Sequence, residues 1–156
     1  MSEAEKDRRP YSVLLVDDEK DTLLSLAEFL ERGLKDAQVL AIASGKDALQ
    51  VLEKQSVDLL IVDYRMPVMD GLQVLHRARQ MAPDVDRIML TAYPDVNVAI
   101  RAINDGEVAR FFTKPFDPET LLDAVRALRR ARLKRGDRSR AFARGMDTLR
   151  RARDEP

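Results

Sequence analysis

The sequence predicts an α/β fold: a five-stranded parallel sheet with helices on both faces, followed by a C-terminal helical extension. Short apolar, β-branched runs recur along the chain, such as residues 13–16 and 59–62, and runs of this kind are typical of buried parallel strands. Segments with helical apolar periodicity lie between them, so that strand and helix alternate five times. This alternation favours right-handed crossovers, which place helices on both faces of one sheet.

Boundary signals mark the first two strand–helix pairs. The first strand is predicted at residues 12–16, and the amphipathic helix that follows it ends at Gly33. The second strand is predicted at residues 39–43, and Ser44 is a suitable N-cap for the next helix because its hydroxyl can accept a backbone N–H. Each pair therefore has its own start and stop in the sequence.

The third and fourth pairs follow the same pattern. The third strand is predicted at residues 57–62, and Asp70 is the expected N-cap of the third helix. The fourth strand is predicted at residues 87–90, followed by a helix that opens at Pro94-Asp95 and closes at Gly106.

The fifth strand, predicted at residues 108–112, leads into the last helix, with Asp117 as its N-cap and Pro118 as its first residue. We expect an interruption of this helix at Gly136-Asp137, because glycine is a poor residue for a helix interior. The segment beyond that point, up to residue 153, is again compatible with a helix.

Polar side chains follow the apolar runs where the strands end: Asp17 and Asp18, then Asp63, Thr91 and Lys114. Because the carboxyl ends of parallel strands meet at one edge of a sheet, we expect these groups to converge. Three carboxylates, a hydroxyl and an ammonium fit a divalent cation such as Mg²⁺ together with a phosphoryl group. Any one of these aspartates could instead be a helix N-cap, and it is their joint placement that favours a site. A cis peptide bond before Pro115 would turn the ammonium of Lys114 inward.

Over residues 11–130 the chain resembles the receiver domain of response regulators in two-component (phosphorelay) signalling. Four motifs carry the resemblance, in this order: Val16-Asp17-Asp18-Glu19, Asp63-Tyr64-Arg65-Met66-Pro67 with Asp70-Gly71, Thr91-Ala92, and Lys114-Pro115-Phe116. The resemblance implies a doubly wound sheet of flavodoxin-like strand order 2-1-3-4-5. It also divides the chain into a flexible N-terminus (residues 1–10), a receiver domain (11–133) and a basic tail that is helical or partly disordered (134–156).

The resemblance assigns chemical roles to the residues at the strand ends. Asp63 is implied to be the phosphoacceptor, which takes a phosphoryl group from the phosphohistidine of a sensor histidine kinase. Asp18, Asp63 and the backbone carbonyl of Arg65 are implied ligands of Mg²⁺, with Asp17 assisting through a water molecule.

A second set of residues is implied to sense the phosphoryl group. Thr91, Ala92 and Lys114 are expected to bind it or to allow its access. Thr91 and Phe111 form the expected switch, which alters the surface of the fourth helix, fifth strand and fifth helix for partner binding or dimerisation. The bulky Arg65 and Tyr93 flank the expected water path, and we hypothesise that they slow dephosphorylation.

Two other classes of protein share parts of this pattern but fit the sequence less well. A Mg²⁺-dependent phosphatase with an aspartyl nucleophile resembles the site, but such enzymes place a second aspartate two residues after the nucleophile, where this chain has Arg65. A flavodoxin-like carrier lacks support because no phosphate-binding loop rich in Ser, Thr or Gly follows the first strand. We therefore expect a signalling switch and not an enzyme that turns over external substrates.

The charge distribution sets the tail apart. Residues 1–125 hold 15 basic and 23 acidic residues, a net charge of −8, whereas residues 126–153 hold 12 basic and 2 acidic residues, a net charge of +10. Three uses of the tail stay open: a solvated extension, a helix for self-association or for an unknown downstream protein, and an electrostatic contact with nucleic acid or an acidic protein. Sequence-specific nucleic-acid recognition is not expected, because interleaved aromatic residues are missing.

Composition points to the cytoplasm. The chain has no cysteine, which excludes disulfides and thiolate chemistry and fits a reducing compartment. No apolar run approaches the roughly 20 residues needed to span a bilayer, and the charged N-terminus does not resemble a signal peptide. We therefore expect no membrane partner.

Overall fold

The computed structural model describes residues 9–92, 96–105 and 107–154, without the side chains of residues 96, 137, 139, 140 and 154. Five parallel strands lie side by side in the order β2-β1-β3-β4-β5, which confirms the predicted fold class. The strands are β1 (Tyr11–Val16), β2 (Ala37–Ile42), β3 (Leu59–Asp63), β4 (Asp86–Thr91) and β5 (Arg110–Thr113). The helices are α1 (Lys20–Gly33), α2 (Gly45–Lys54), α3 (Gly71–Met81), α4 (Val96–Asn104) and α5 (Pro118–Asp154).

The predicted helix starts are confirmed where the structure describes them. The Ser44 hydroxyl accepts the backbone N–H of Asp47 at 3.2 Å, and the Asp70 carboxylate accepts that of Gln73 at 2.9 Å. Asp117 accepts the N–H of Glu119 at 3.0 Å beside the first turn of α5. The predictions made for Pro94-Asp95 and Gly106 lie outside the described residues, as do residues 1–8 of the predicted N-terminal segment.

The sheet is buried between two helical layers. On one face, side chains of β1, β3 and β4 form a buried cluster with residues of α2, α3 and α4, including Leu49, Leu75 and Ala102. Because side chains alternate along a strand, the neighbouring positions of β1 and β3 face the other side. There α1 and the beginning of α5 approach closely, since a methyl group on Gly33 would lie 2.5 Å from the Leu122 side chain.

Strand order brings the predicted site residues to neighbouring strand ends. Val16 of β1 is in register with Val62 of β3, so Asp17 and Asp63 both come directly after paired residues. Asp63 is in turn paired with Leu90, next to Thr91. β2 lies on one side of β1 and β3 on the other, so the strand order reverses at β1, and such a switch point is where open α/β sheets bind ligands.

The last helix corrects one prediction. The expected break at Gly136-Asp137 is wrong, because α5 runs without interruption from Pro118 to Asp154. Gly136 costs about 1 kcal/mol relative to alanine in a helix interior, and the good helix formers around it, mainly Ala, Arg, Leu and Lys, offset that cost. The chain divides into two compact units at residues 122 and 123, within α5.

No helix in the part of the chain that the structure describes has the length and apolar character needed to cross a membrane.

A buried carboxylate anchors the amino-terminal edge of the sheet. Asp58 accepts the backbone N–H of Ser12 at 2.8 Å, and its two oxygens accept hydrogen bonds from the Arg9 guanidinium at 2.7 and 2.8 Å. The Asp58 side chain is 9% exposed, whereas the Arg9 side chain is 49% exposed. The buried carboxylate therefore depends more on its hydrogen-bond partners than the exposed guanidinium does.

We predict that Asp58→Ala lowers the free energy of unfolding by about 2 kcal/mol, because it leaves the buried Ser12 N–H without its acceptor. Arg9→Ala should cost less than about 1 kcal/mol, because the half-exposed ion pair is screened by solvent and water can take the place of the guanidinium at the Asp58 carboxylate. Urea denaturation followed by circular dichroism measures both changes. Asp58→Asn keeps an oxygen that can accept the Ser12 N–H, so its loss in free energy of unfolding should lie between those of the two alanine variants. Equal losses of free energy for all three variants would contradict this account.

Candidate functional site

Asp17 lies immediately after β1 and is buried. One of its carboxylate oxygens accepts the backbone N–H of Glu19 at 3.0 Å, and the other accepts a hydrogen bond from the Lys114 ammonium at 3.1 Å. Glu19 holds the N-cap position of α1 and makes no side-chain cap bond. The alternative role of helix cap is thus met only in part, since half of the Asp17 carboxylate is directed to the lysine.

Asp63 is the last residue of β3 and is also buried. Its carboxylate lies 3.1 Å from the Lys114 ammonium. Each of Asp17, Asp18 and Asp63 offers one carboxylate oxygen within 4.8 Å of the others. The predicted convergence of three carboxylates at this edge of the sheet is therefore borne out by the geometry.

Lys114 follows β5, the edge strand of the sheet, and its ammonium contacts both buried carboxylates. The peptide bond from Lys114 to Pro115 is cis, and the Lys114 backbone N–H donates to the carbonyl oxygen of Thr91 at 2.7 Å. Burial by itself lowers the pKa of Lys114, but the hydrogen bonds and negative charges of Asp17 and Asp63 outweigh burial and raise it. The lysine therefore stays charged in the site.

The site carries more negative than positive charge, which favours binding of a cation. Burial raises the pKa of Asp63, Lys114 opposes that rise, and the charges of Asp17 and Asp18 add to it. Three carboxylates face one ammonium, an excess of two negative charges when all are ionised. An all-oxygen donor set with that charge fits a hard divalent cation.

Two more predicted residues, Thr91 and Ala92, lie at the same edge of the sheet. Thr91 is the buried last residue of β4, and Ala92 follows it at the surface. Phe111 of β5 is in register with Met89 and is partly buried against the core cluster that contains Val98 of α4. Their roles in phosphoryl binding and switching stay predictions.

The loop between β3 and α3, which follows Asp63 in the chain, forms an open cleft. The cleft has a volume of about 440 Å³ and is lined by Tyr64, Arg65, Met66, Pro67 and Asp70. Arg65 is exposed in it, two residues after Asp63. Its backbone carbonyl as a metal ligand stays a prediction, and Tyr93, the second expected modulator, lies outside the described residues.

Two features of this loop escaped the sequence analysis. Val68 is fully exposed and has a positive φ of 69°, and the N–H of Met69 bonds back to the Pro67 carbonyl at 2.7 Å. This is a strained three-residue turn, and a β-branched residue at its centre gives no sequence signal for it. The other feature is the close contact made by Gly71.

Gly71 allows α3 to begin directly against the end of β3. Its N–H donates to the carbonyl oxygen of Tyr64 at 2.7 Å, while the N–H of Tyr64 bonds to Leu90 at 2.8 Å. A methyl group at position 71 would lie 2.5 Å from the Asp63 carbonyl oxygen and 2.8 Å from the Tyr64 Cα. Because backbone atoms cannot move aside as a flexible side chain can, only glycine fits here.

We predict that Gly71→Ala lowers the free energy of unfolding by about 2 kcal/mol, the cost of forcing an extra carbon into a close-packed contact. Gly136→Ala is the matched control, because nothing lies within 4 Å of a methyl group there. It should raise stability by about 0.5–1 kcal/mol, through helix propensity alone. Thermal and urea unfolding of the two variants measure the contrast; a stabilised Gly71→Ala variant would refute the proposed contact.

Comparisons with known proteins agree with this geometry. The family model described as the response regulator receiver domain matches residues 13–126. The transcriptional regulatory protein GlrR of Escherichia coli is 36% identical over 117 residues, which cover 75% of this chain and 26% of that protein. The chain spans about a quarter of the length of the curated regulators it matches first.

Solved structures give the same result. The signal receiver domain of an HD domain-containing protein from Pseudomonas fluorescens superposes with a TM-score of 0.74 at 35% identity, covering 81% of this chain and 99% of that one. Response regulator protein TrrA from Thermotoga maritima, solved in complex with Mg²⁺ and BeF, superposes with a TM-score of 0.67 at 27% identity, covering 76% and 98%.

Proposed function

This chain belongs to the response regulator receiver domain family, and on that premise we propose that it is a phosphoacceptor switch whose acceptor is Asp63. The observation that carries the proposal is the position of the Asp63 carboxylate: buried, 3.1 Å from the Lys114 ammonium, and grouped with Asp17 and Asp18. A carboxylate held in this way can act as a nucleophile toward phosphorus.

The proposed donor is the phosphohistidine of a sensor histidine kinase. An oxygen of Asp63 attacks phosphorus, the phosphorus–nitrogen bond breaks, and its electron pair returns to the imidazole ring, which takes up one proton from solvent. The products are an acyl phosphate on Asp63 and a neutral histidine on the kinase. Such transfers depend on positioning and charge neutralisation, which Lys114 and the Thr91 hydroxyl supply to the phosphoryl oxygens.

Mg²⁺ fits the donor set of the site: Asp17, Asp18, Asp63 and the backbone carbonyl of Arg65 would hold it, and when bound it neutralises charge on the phosphoryl oxygens. The structure of TrrA with Mg²⁺ and BeF supports this part of the proposal by similarity.

The output of the switch passes through Thr91 and Phe111 in this proposal. Thr91 moves toward the phosphoryl group, and Phe111 fills the space it leaves, which repacks the surface of α4, β5 and the start of α5. That surface then binds a downstream protein or a second copy of the chain. The setting is the cytoplasm, in keeping with a chain free of cysteine.

Turnover of external substrates is not part of the proposal. The position two residues after Asp63, where an aspartyl phosphatase needs its general acid, holds Arg65. A guanidinium does not donate a proton at neutral pH, so the site lacks the acid that a phosphatase needs for its leaving group.

We predict that incubation with acetyl phosphate and Mg²⁺ adds one phosphoryl group, detected by intact mass, and that Asp63→Asn abolishes the adduct. Asp84→Asn, at an exposed position away from the strand ends, should keep it. Replacing Mg²⁺ by EDTA should suppress it, because the excess carboxylate charge then repels the donor. An adduct of equal size on the Asp63→Asn variant would overturn the assignment.

We also predict that Arg65→Asn speeds dephosphorylation about tenfold, equivalent to about 1.4 kcal/mol, because a smaller side chain two residues after Asp63 shields the acyl phosphate less from the attacking water. The measurement is the decay of the phosphoryl adduct after the donor is removed. Arg77→Asn, an exposed arginine on α3, is the control and should leave the decay rate unchanged. If the phosphoryl adducts of the Arg65 and Arg77 variants decay at the same rate, Arg65 does not slow hydrolysis of the acyl phosphate.

A further inference from the structure

The carboxy-terminal half of α5 carries an exposed apolar stripe. Phe142, Met146 and Leu149 are 72%, 52% and 67% exposed. Their spacing of four and three residues places them on one face of the helix. Arg138 precedes Phe142 by one turn and Arg150 follows Met146 by one turn, so the stripe is bordered by positive charge. A large apolar stripe of this kind on a soluble helix marks an interaction surface.

The outer face of α1 has the opposite charge and also holds an exposed apolar residue. Leu24 is 61% exposed. Asp21, Glu28 and Glu31 lie three residues before it and four and seven residues after it, and all three are exposed on the same face. Glu28 pairs with Arg32 at 2.5 Å within the helix. We call this set of residues the acidic face of α1.

We propose that the apolar stripe of α5 in one molecule docks on the acidic face of α1 in a second molecule of this chain. Arginines border the apolar stripe of α5, whereas three carboxylates surround Leu24 on the acidic face of α1 and outnumber the two basic residues there, Lys20 and the Glu28-paired Arg32. Residues 126–153 carry a net charge of +10, and residues 1–125 carry −8. Complementary potentials of this size steer association and fix its register.

Other occupants of the stripe fit less well. Pairing two α5 stripes brings together two segments of charge +10, which repel each other. Nucleic acid matches the charge but gives Phe142, Met146 and Leu149 no apolar surface to bury, and Phe142 is the one aromatic residue of that segment. A second copy supplies both the carboxylates and an exposed leucine.

The expected contact is weak and sensitive to salt. One stripe of three large side chains buries less than the roughly 1,200 Å² of a stable complex. We therefore expect reversible self-association with a dissociation constant of about 10–100 μM. Raising NaCl from about 50 to about 500 mM should weaken it about tenfold or more, because exposed charges are screened within a few ångströms at high salt.

Sedimentation velocity of the full unphosphorylated chain across this concentration range tests the proposal. Phe142→Ser in the stripe and Glu31→Lys in the acidic face should each weaken self-association about tenfold or more. The matched controls are Leu133→Ser, an exposed leucine of α5 (62%) off the stripe, and Glu53→Lys, an exposed glutamate near the end of α2. Both controls should associate like the parent chain, and circular dichroism checks that all variants stay folded.

A charge exchange makes the test decisive. The chain carrying Glu31→Lys, mixed with a chain carrying Arg138→Glu and Arg150→Glu, should form mixed dimers more readily than either variant associates with itself. The proposal is overturned if the parent chain stays monomeric at about 300 μM in low salt, well above the expected dissociation constant. It is also overturned if stripe variants weaken association while Glu31→Lys does not, since the stripe then pairs with another surface. Random-sequence duplex DNA bound by the parent chain but not by Arg138→Glu/Arg150→Glu, without self-association, would assign the stripe's charges to nucleic acid instead.

Discussion

The Lys114 ammonium, shared by the carboxylates of Asp17 and Asp63, is the interaction on which the site depends. It joins the ends of three strands that are far apart in the sequence, and it compensates one of the three negative charges gathered there. A buried carboxylate without a partner would take up a proton and lose its nucleophilic character. The lysine opposes that loss of charge, and the two negative charges left over suit a divalent cation.

The scaffold around this interaction packs closely around Asp63, the proposed acceptor. β3 is buried along its whole length, so packing on both faces of the sheet holds Asp63 in place. Gly71 closes the loop that follows, because α3 begins in van der Waals contact with the backbone of Asp63 and Tyr64. Within the same loop, three residues before Gly71, Val68 is fully exposed and forms a strained turn. The loop after Asp63 thus combines a tightly packed end at Gly71 with an exposed turn.

Acidic and basic residues are concentrated in different parts of the chain. The α/β domain is acidic and the following helical segment is basic, and the formal net charge of zero conceals both. At physiological salt such charges act over about 8 Å, so they matter at a contact and not at long range. The partner of the tail must therefore match it at the contact surface, both in charge, opposite the arginines, and in apolar area, opposite the exposed stripe.

Local sequence determined much of this protein. Alternating periodicity predicted the five strand–helix pairs, the caps at Ser44, Asp70 and Asp117, and the residue types at the strand ends. These are properties of a few neighbouring residues, whose side-chain spacing and backbone preferences act locally. The family resemblance supplied the roles of those residues and the strand order, which periodicity alone does not determine.

Tertiary structure decided the rest. It set the sharing of one ammonium by Asp17 and Asp63, the clamp of Arg9 on Asp58, and the contact that only Gly71 permits; each depends on groups brought together from distant parts of the chain. The continuation of α5 through Gly136 went against the local signal, because one poor helix residue is outweighed by many good ones. Sequence thus determined which groups the protein has and in what order, while strand register and burial decided which of them meet, since distances across a sheet are set by packing and not by spacing along the chain.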